Sequence, residues 1–198
     1  HAAELIESAI GDGSRLGVEV RYAYNDDWQL GNGTSLYAVR EMVNGERFVL
    51  AMADHWFEPA MAQLLIDRAA VDERSLLCVD TDGSRVWDLD DATKVRIGPD
   101  GAVTAAAKDL AQFDAIDCGL FVCSPAVFPA LERAFAEGDY ELSAAMRALE
   151  GPARLAAVSI DGRLWEDVDT EIAFGGALRK LRDSLHSRDE GLVSRFLN

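Results

Sequence analysis

Cysteine, histidine and basic residues are all scarce in this chain of 198 residues. The three cysteines are odd in number and lack metal-ligand spacing, which argues against a disulfide framework or a zinc site and favours reduced thiols inside a cell. With only three histidines, one of them at the first position, no Ser/His/Asp or Cys/His catalytic set is apparent. A net charge of −16 without a basic patch argues against nucleic acid as a partner.

Long hydrophobic runs are also missing. The longest uncharged stretch, residues 118–131, is too short for a membrane-spanning helix and contains two prolines, so the sequence predicts neither a transmembrane segment nor a signal peptide. The composition, 49% hydrophobic and 27% charged, is typical of a soluble globular domain with one substantial core. We therefore expect a cytoplasmic domain.

The hydrophobic pattern alternates between strand-like and helix-like segments. Helices are predicted at residues 2–10, 36–43, 59–70, 125–136, 141–149 and from about 173 to 185, and strands at residues 18–24, 48–53, 76–79, 94–97, 102–105, 115–122 and 155–160. Such alternation predicts an α/β fold with a mixed, mainly parallel sheet flanked by helices.

An apolar run from Phe48 to Ala53 leads directly into Asp54 and His55. A continuous run of this kind predicts a strand buried on both faces, as in a parallel sheet. Because ligands bind beyond the carboxyl ends of such strands, Asp54 is a candidate ligand for Mg²⁺ carrying a polyphosphate, although a carboxylate that caps the next turn fits equally well. His55 is a candidate general base or a packed strand-end histidine.

Two more carboxylates, Asp167 and Asp169, follow a later predicted strand. Residues two apart on an extended segment point the same way, and carboxylates converging on Asp54 would repel one another unless a cation lay between them. Alternatively, they and Thr170 cap the following helix and complement its dipole. Both interpretations can hold together.

Glycine and lysine mark two further candidate sites. The segment from Gly31 to Ser35 could bring backbone amides against a base, ribose or phosphate, although a turn followed by a helix capped by Ser35 is the commoner meaning. Lysine is scarce, since lysine and arginine together number 19. Lys94 and Lys108 are therefore candidate phosphate contacts, against the alternative of ordinary solvated side chains.

In chain order, these motifs resemble the sugar-phosphate nucleotidyltransferase superfamily, and more closely the CTP:inositol-1-phosphate cytidylyltransferase domain of bifunctional proteins. The matching segments are NDDW (25–28), GNGTSL (31–36), MADH (52–55), DATKV (91–95), KDL (108–110), DAIDCG (114–119) and WEDVDT (165–170). The resemblance implies a Rossmann-like, GT-A type fold over residues 1–187. It also implies that residues 188–198 lead into a membrane CDP-alcohol phosphotransferase domain.

The resemblance implies that CTP and inositol 1-phosphate, or a similar polyol phosphate, react with Mg²⁺ to give a CDP-alcohol and pyrophosphate. Asp54 and Lys108 would be the catalytic residues. By position, it assigns Asp54 with Asp167 or Asp169 to the metal, Asn32, Gly33 and Ser35 to the nucleotide, and Lys94, Lys108, Asp117 and Gly119 to the acceptor.

The family's glycine-rich loop and the Pro-Lys pair after its first strand have no counterpart here, and Glu171 stands where a proline is usual. We therefore expect that the amino-terminal βα part of the domain is missing from this sequence and that the fragment alone is a poor catalyst. Two alternatives remain open: a nucleotidyltransferase for another acceptor, such as phosphocholine or a hexose phosphate, and an inactive nucleotide-binding domain.

Overall fold

A computed structural model describes residues 2–86, 88–149, 151 and 154–182. The predicted linker at residues 188–198 and the end of the last predicted helix lie outside the described residues. Within the described part, a six-stranded sheet is flanked by helices, and two short strands form a second sheet.

The secondary structure follows the predicted alternation. The helices are α1 (Ala3–Ile10), α2 (Asn32–Ala38), α3 (Pro59–Ala69), α4 (Val127–Ala136), α5 (Leu142–Arg147) and α6 (residues 171–182). The strands are β1 (Phe48–Ala51), β2 (His55–Phe57), β3 (Ser75–Asp80), β4 (Lys94–Ile97), β5 (Val103–Ala107), β6 (Ala115–Cys123), β7 (Leu155–Ser159) and β8 (Trp165–Asp167).

The large sheet has the order β5-β4-β6-β3-β7, and β1 also pairs with β6. Strands β1, β3, β4 and β7 run in one direction, while β5 and β6 run against them. The expected mixed sheet, mainly parallel in strand direction, is thus confirmed. Because β6 lies among strands of opposite direction, β3–β7 is the one parallel pair among the described strands.

Strand β6 organises the functional end of the sheet. Its residues Ile116 and Val122 each pair with β3, and on the opposite edge they pair with β4 and β1 respectively. Strands β4 and β1 therefore share one edge of β6, at its start and near its end. The edge between them contains Asp117 and Gly119, which are held by backbone hydrogen bonds to Thr93 (2.9 Å) and Met52 (2.9 Å).

Two apolar clusters cover the two faces of the sheet. Leu77 and Phe121 belong to the cluster that includes α4 and α5, and Leu76 and Leu120 belong to the cluster that includes α3. Alternate side chains of a strand point to opposite faces, so β3 and β6 supply both clusters. All three cysteines are buried and unpaired, as predicted.

The strand that leads to Asp54 differs from the prediction. Strand β1 pairs antiparallel with β6, and its burial alternates, leaving Val49 44% exposed. Among the described residues, β6 is its only partner strand. Antiparallel strands commonly pack one face on the core and leave the other face solvated, and an uninterrupted run of apolar residues does not reveal this.

The predicted strand at residues 18–24 is also wrong. This segment pairs with no described strand. Its amides at Val18 and Val20 donate to the turn after α1, and the Tyr22 hydroxyl donates to the Gly11 carbonyl (2.6 Å). The segment is therefore bonded to the turn after α1 instead of to a sheet, and Val18 and Tyr24 stay 57% and 69% exposed.

Helix α2 begins at Asn32, so Ser35 lies inside the helix and does not cap it. The Asn25 side-chain amide donates to the hydroxyls of Thr34 and Ser35 (both 2.9 Å), and the Thr34 hydroxyl donates back to the Gly31 carbonyl (2.7 Å). These bonds fix the start of α2 four residues earlier than the sequence suggested. The helix also ends at Ala38, short of residue 43.

Candidate active site

A cavity of about 570 Å³ lies at the ends of β1, β5 and β8 and at the start of β4, and Asp117 and Gly119 within β6 also line it. Its wall is strongly acidic: the lining carboxylates are Asp54, Asp88, Asp91, Asp117, Glu141, Glu166, Asp167 and Asp169, and the lining cations are Arg85, Lys108 and Lys180. Eight carboxylates against three fixed cations make the field unfavourable for a bare anion. An anionic substrate would have to arrive with cations of its own.

The pairing of β2 with β8 brings together the two acidic motifs. His55 lies directly opposite Asp167 in this antiparallel pair, and the Val168 N–H donates to the Asp54 carbonyl (2.9 Å). His55 Nδ1 is 2.8 Å from Asp54 Oδ1 and 3.9 Å from Asp167 Oδ1. One ligand atom from each of these three residues lies within 4.8 Å of the others.

One oxygen of the Asp167 carboxylate lacks a donor in the described part of the chain. Its Oδ1 atom is buried and has no hydrogen-bond partner among the described residues. Burial raises the pKa of Asp167, the charges of Asp169 and Asp54 raise it further, and His55 opposes them. Carboxylate oxygens that repel one another and lack donors are suited to a divalent cation, so the residues fit a metal between Asp54 and Asp167.

Asp169 lines the same cavity but lies outside this three-residue group. The Ala173 N–H donates to the Thr170 hydroxyl (3.1 Å), so the helix-capping interpretation of this motif also holds. Of the two carboxylates that the sequence left open, the structure therefore brings Asp167 to Asp54 and leaves Asp169 exposed nearby.

His55 is packed as well as hydrogen-bonded. Its ring stacks on Trp165, with ring centroids 5.8 Å apart, and Trp165 Nε1 donates to buried Asp80 (2.9 Å). On the other side, a Cβ added to Gly119 would lie 2.5 Å from the ring. The stack on Trp165 and the space left by Gly119 together let the His55 ring lie with its Nδ1 against Asp54.

Asp117 and Gly119 form an irregularity in β6. The register against β3 shifts between Leu77 and Val79, and Gly119 has a φ of +67°, which favours glycine. The Gly119 N–H donates to Asp117 Oδ1 (2.7 Å). Both residues line the cavity, and burial raises the pKa of Asp117 to about 6 while the Gly119 N–H and His55 lower it only in part.

This raised pKa predicts a pH-dependent stability. The folded-state pKa of Asp117, about 6, exceeds its ordinary value of 3.8. The stabilising contribution of Asp117 to the free energy of unfolding is therefore complete below pH 3.8 and is lost as the pH rises through 6. Asp117→Asn removes this loss. We expect the free energy of unfolding of the wild type to fall relative to Asp117→Asn, by about 2 kcal/mol, between pH 4.5 and 7.5 in urea titrations. A constant difference across this range would contradict the prediction.

The chain contains only three lysines, and all three lie at this end of the sheet. Lys108 Nζ donates to Asp91 Oδ1 (2.7 Å); this bond raises the pKa of Lys108, burial lowers it slightly, and the charges of Asp91, Asp169 and Asp167 raise it. Lys108 thus faces the acidic wall across the cavity.

The structure corrects the expectation for Lys94 as an acceptor contact. The Lys94 side chain is buried and does not line the cavity, and its ammonium donates to the carbonyls of Lys108 (2.5 Å) and Asp90 (3.5 Å). Lys94 lies between β5 and β6 in the sheet, and only 9% of its surface is exposed.

Sequence reasoning missed Lys180. This residue of α6 lines the cavity, and its ammonium pairs with buried Glu166 (2.5 Å) and donates to the Trp165 carbonyl (2.9 Å). It thereby ties α6 to the strand that carries Asp167. The scarcity of lysine was the one sequence feature that could have pointed to Lys180, because its spacing in the helix did not distinguish it from its neighbours.

Of the three predicted nucleotide contacts, only Asn32 lines the cavity, and its Oδ1 accepts the Leu142 N–H (2.8 Å). Gly33 is buried instead against α4 and the start of α5, where an added Cβ would lie 2.6 Å from the Tyr140 carbonyl oxygen. Ser35 accepts from Asn25 at the outer side of α2. Neither Gly33 nor Ser35 lines the cavity, so the structure does not bring them to it, and their assignment to the nucleotide stays a prediction.

Comparison with known proteins supplies the family. The protein named bifunctional IPC transferase and DIPP synthase of Thermococcus kodakarensis is 36% identical over 188 residues, which are 93% of this chain and 40% of that protein. The protein of the same name from Archaeoglobus fulgidus is 32% identical over 183 residues, 92% of this chain and 35% of that protein. The chain belongs to the nucleotidyltransferase family of these proteins. It spans about two fifths of their length.

Solved structures agree with the nucleotidyltransferase fold. The inositol-1-phosphate CTP transferase from T. maritima matches with a TM-score of 0.71 and 23% identity, over 87% of this chain and 68% of that one. A putative glucose-1-phosphate thymidylyltransferase from Bacillus anthracis matches with a TM-score of 0.73 and 16% identity, over 88% and 70%. No family model matches the sequence. None of the described helices is long and apolar enough to cross a bilayer.

Proposed function

We propose that this nucleotidyltransferase domain transfers the cytidylyl group of CTP to inositol 1-phosphate or a closely similar polyol phosphate, with Mg²⁺ as the metal. The observation that carries the proposal is the buried Oδ1 of Asp167, which has no hydrogen-bond partner among the described residues and lies beside Asp54 in the same cavity as Lys108. The names of the bifunctional relatives and of the T. maritima enzyme support the choice of substrates.

In the proposed reaction, an oxygen of the acceptor phosphate attacks the α-phosphorus of CTP. A new P–O bond forms, the bond from the α-phosphorus to the oxygen bridging to the β-phosphate breaks, and pyrophosphate leaves with that oxygen and its electron pair. Mg²⁺ bound with the nucleotide would neutralise charge on the phosphates. The protein groups contribute mainly by holding the two phosphates in line.

The residues of this chain divide into three proposed roles. Asp54 and Asp167 would hold the metal, with Asp169 as a further carboxylate at the same wall. Lys108 would bind the acceptor phosphate, since it is an ammonium in the cavity facing these acids. Asp117 and Gly119 would line the polyol pocket, where a carboxylate accepts hydrogen bonds from hydroxyls.

The acidic wall supports a metal–nucleotide complex as the substrate. Eight carboxylates would repel a free triphosphate, whereas a complex with a divalent cation carries less negative charge and can use carboxylates as ligands. Asn32 is the proposed nucleotide contact among the three candidates, because it lines the cavity near the start of α5.

The decisive assay uses the whole protein that contains this chain. With CTP, Mg²⁺ and inositol 1-phosphate, we expect release of pyrophosphate and an equal amount of CDP-inositol, measured by chromatography, and no product when Mg²⁺ is chelated. A panel with phosphocholine and glucose 1-phosphate tests the acceptor. Faster turnover of another acceptor would overturn the proposed substrate. If no acceptor gives a product, the proposed reaction is overturned and the alternative of an inactive nucleotide-binding domain is favoured.

A further inference from the structure

Lys94 lies at the start of β4 with only 9% of its surface exposed. It pairs with Ala107 of β5 on one side and with Ile116 of β6 on the other. Burying an ammonium is costly unless its protons are bonded. Within the described part of the chain, Lys94 Nζ makes no ion pair and donates to two main-chain carbonyls, those of Lys108 at 2.5 Å and Asp90 at 3.5 Å.

These two carbonyls belong to the two segments that frame one side of the cavity. Asp90 immediately precedes Asp91, and the side chains of Asp91 and Lys108 meet at 2.7 Å. The buried Lys94 ammonium therefore joins the same two segments that the exposed ion pair joins. The two connections close a ring through the main chain.

The ion pair alone would hold Lys108 weakly. The side chains of Asp91 and Lys108 are 55% and 59% exposed, and exposed pairs contribute little because solvent and salt screen them. A lysine stem of four carbons is also flexible. The buried bond from Lys94 to the Lys108 carbonyl fixes the main chain from which that stem starts.

We propose that Lys94 is a positioning residue, whose buried ammonium sets the main chain of Lys108 and Asp91 so that the Lys108 ammonium points into the cavity. The functional consequence rests on the proposed role of Lys108 toward the acceptor phosphate. Lys94 itself touches no substrate. Its removal acts on acceptor binding through Lys108.

A chemical test of this role needs no enzymatic activity. Acylation by a water-soluble N-hydroxysuccinimide ester consumes the free amine, so a lysine held as an ammonium by a carboxylate reacts slowly. We expect Lys94→Met to raise the rate at Lys108 at least about threefold, because loosening the pair with Asp91 lowers the pKa of Lys108. Mass spectrometry resolves the sites, since the chain has only three lysines.

The other lysine and the ion-pair partner provide the controls. Lys180 is paired with Glu166 on a different element and should react at an unchanged rate. Asp91→Asn should accelerate Lys108 and so validates the reagent. Equal acceleration at Lys180 would indicate general loosening and overturn the proposal, as would an unchanged rate at Lys108. Should Lys94→Met not fold, Lys94→Leu is a second neutral variant without a donor, and an unchanged rate at Lys108 in that variant also overturns the proposal.

A double-mutant cycle on the whole protein tests the functional arm. We expect Lys94→Met to raise the KM for inositol 1-phosphate about tenfold with little change in the KM for CTP, and to have no further effect in a Lys108→Ala background. A full additional loss in that background would show that Lys94 acts independently of Lys108. If the wild type forms no product, the proposed function fails while the acylation rates still decide the role of Lys94.

Discussion

Asp54→Asn is expected to reduce turnover by about a hundredfold to a thousandfold, the range found when one preorganised electrostatic contact to the transition state is removed. The change keeps the size of the side chain and one oxygen, but it removes the negative charge opposite Asp167. His55 Nδ1, which lies 2.8 Å from Asp54 Oδ1, can retain a hydrogen bond to the amide. The loss therefore reports charge rather than packing.

Metal affinity provides a second readout that does not depend on turnover. Mn²⁺ binding followed by electron paramagnetic resonance should weaken by at least about tenfold in Asp54→Asn, because a neutral amide is a poorer ligand for a hard cation. Asp167→Asn should weaken it similarly, since its Oδ1 is the unpartnered buried atom beside Asp54.

A matched control is available on α3. Asp67 is an exposed carboxylate whose side chain accepts from Gln63 (2.8 Å), and it does not line the cavity. Asp67→Asn makes the same charge change and should leave turnover and Mn²⁺ binding unchanged. Wild-type Mn²⁺ affinity in Asp54→Asn would refute its role as a ligand, whatever the turnover.

The order of elements was predictable because each strand and helix carries its own pattern. The hairpin between β4 and β5 follows from residues 98–101, and Gly101 has a φ of +76° as such a turn requires. The burial of β1 was not predictable, because a continuous apolar run does not show whether both faces of the strand are covered. The segment at 18–24 failed for a related reason: alternation indicates an amphipathic strand but cannot name its partner.

The site shows the same limit. Sequence placed Asp54 and Asp167 at strand ends, and the pairing of β2 with β8 brings one ligand atom of each within 4.8 Å of the other. That a cation lies between them stays a prediction. The roles of Lys94 and Gly33 were not readable, because both residues are buried by contacts between elements distant in the chain. Counting lysines finds both Lys94 and Lys180. Only the fold shows that Lys180 lines the cavity and that Lys94 does not.

Gly119→Ala is expected to damage both stability and activity. The residue has a φ of +67°, and an added Cβ would lie 2.5 Å from the His55 ring. The positive φ costs about 1–2 kcal/mol, and forcing the ring aside adds about 1–3 kcal/mol of overpacking. Displacing the ring also breaks its stack on Trp165 and its bond to Asp54, so kcat should fall at least about tenfold.

The hairpin glycine isolates the backbone part of this effect. Gly101 has a φ of +76°, and an added Cβ there meets no atom within 4 Å, so Gly101→Ala carries the same conformational cost without the collision. In urea titrations we expect it to lose about 1–2 kcal/mol and to keep wild-type kcat. Equal stability losses in the two variants, with kcat also preserved in Gly119→Ala, would mean that the His55 ring moves freely and does not need to be held against Asp54.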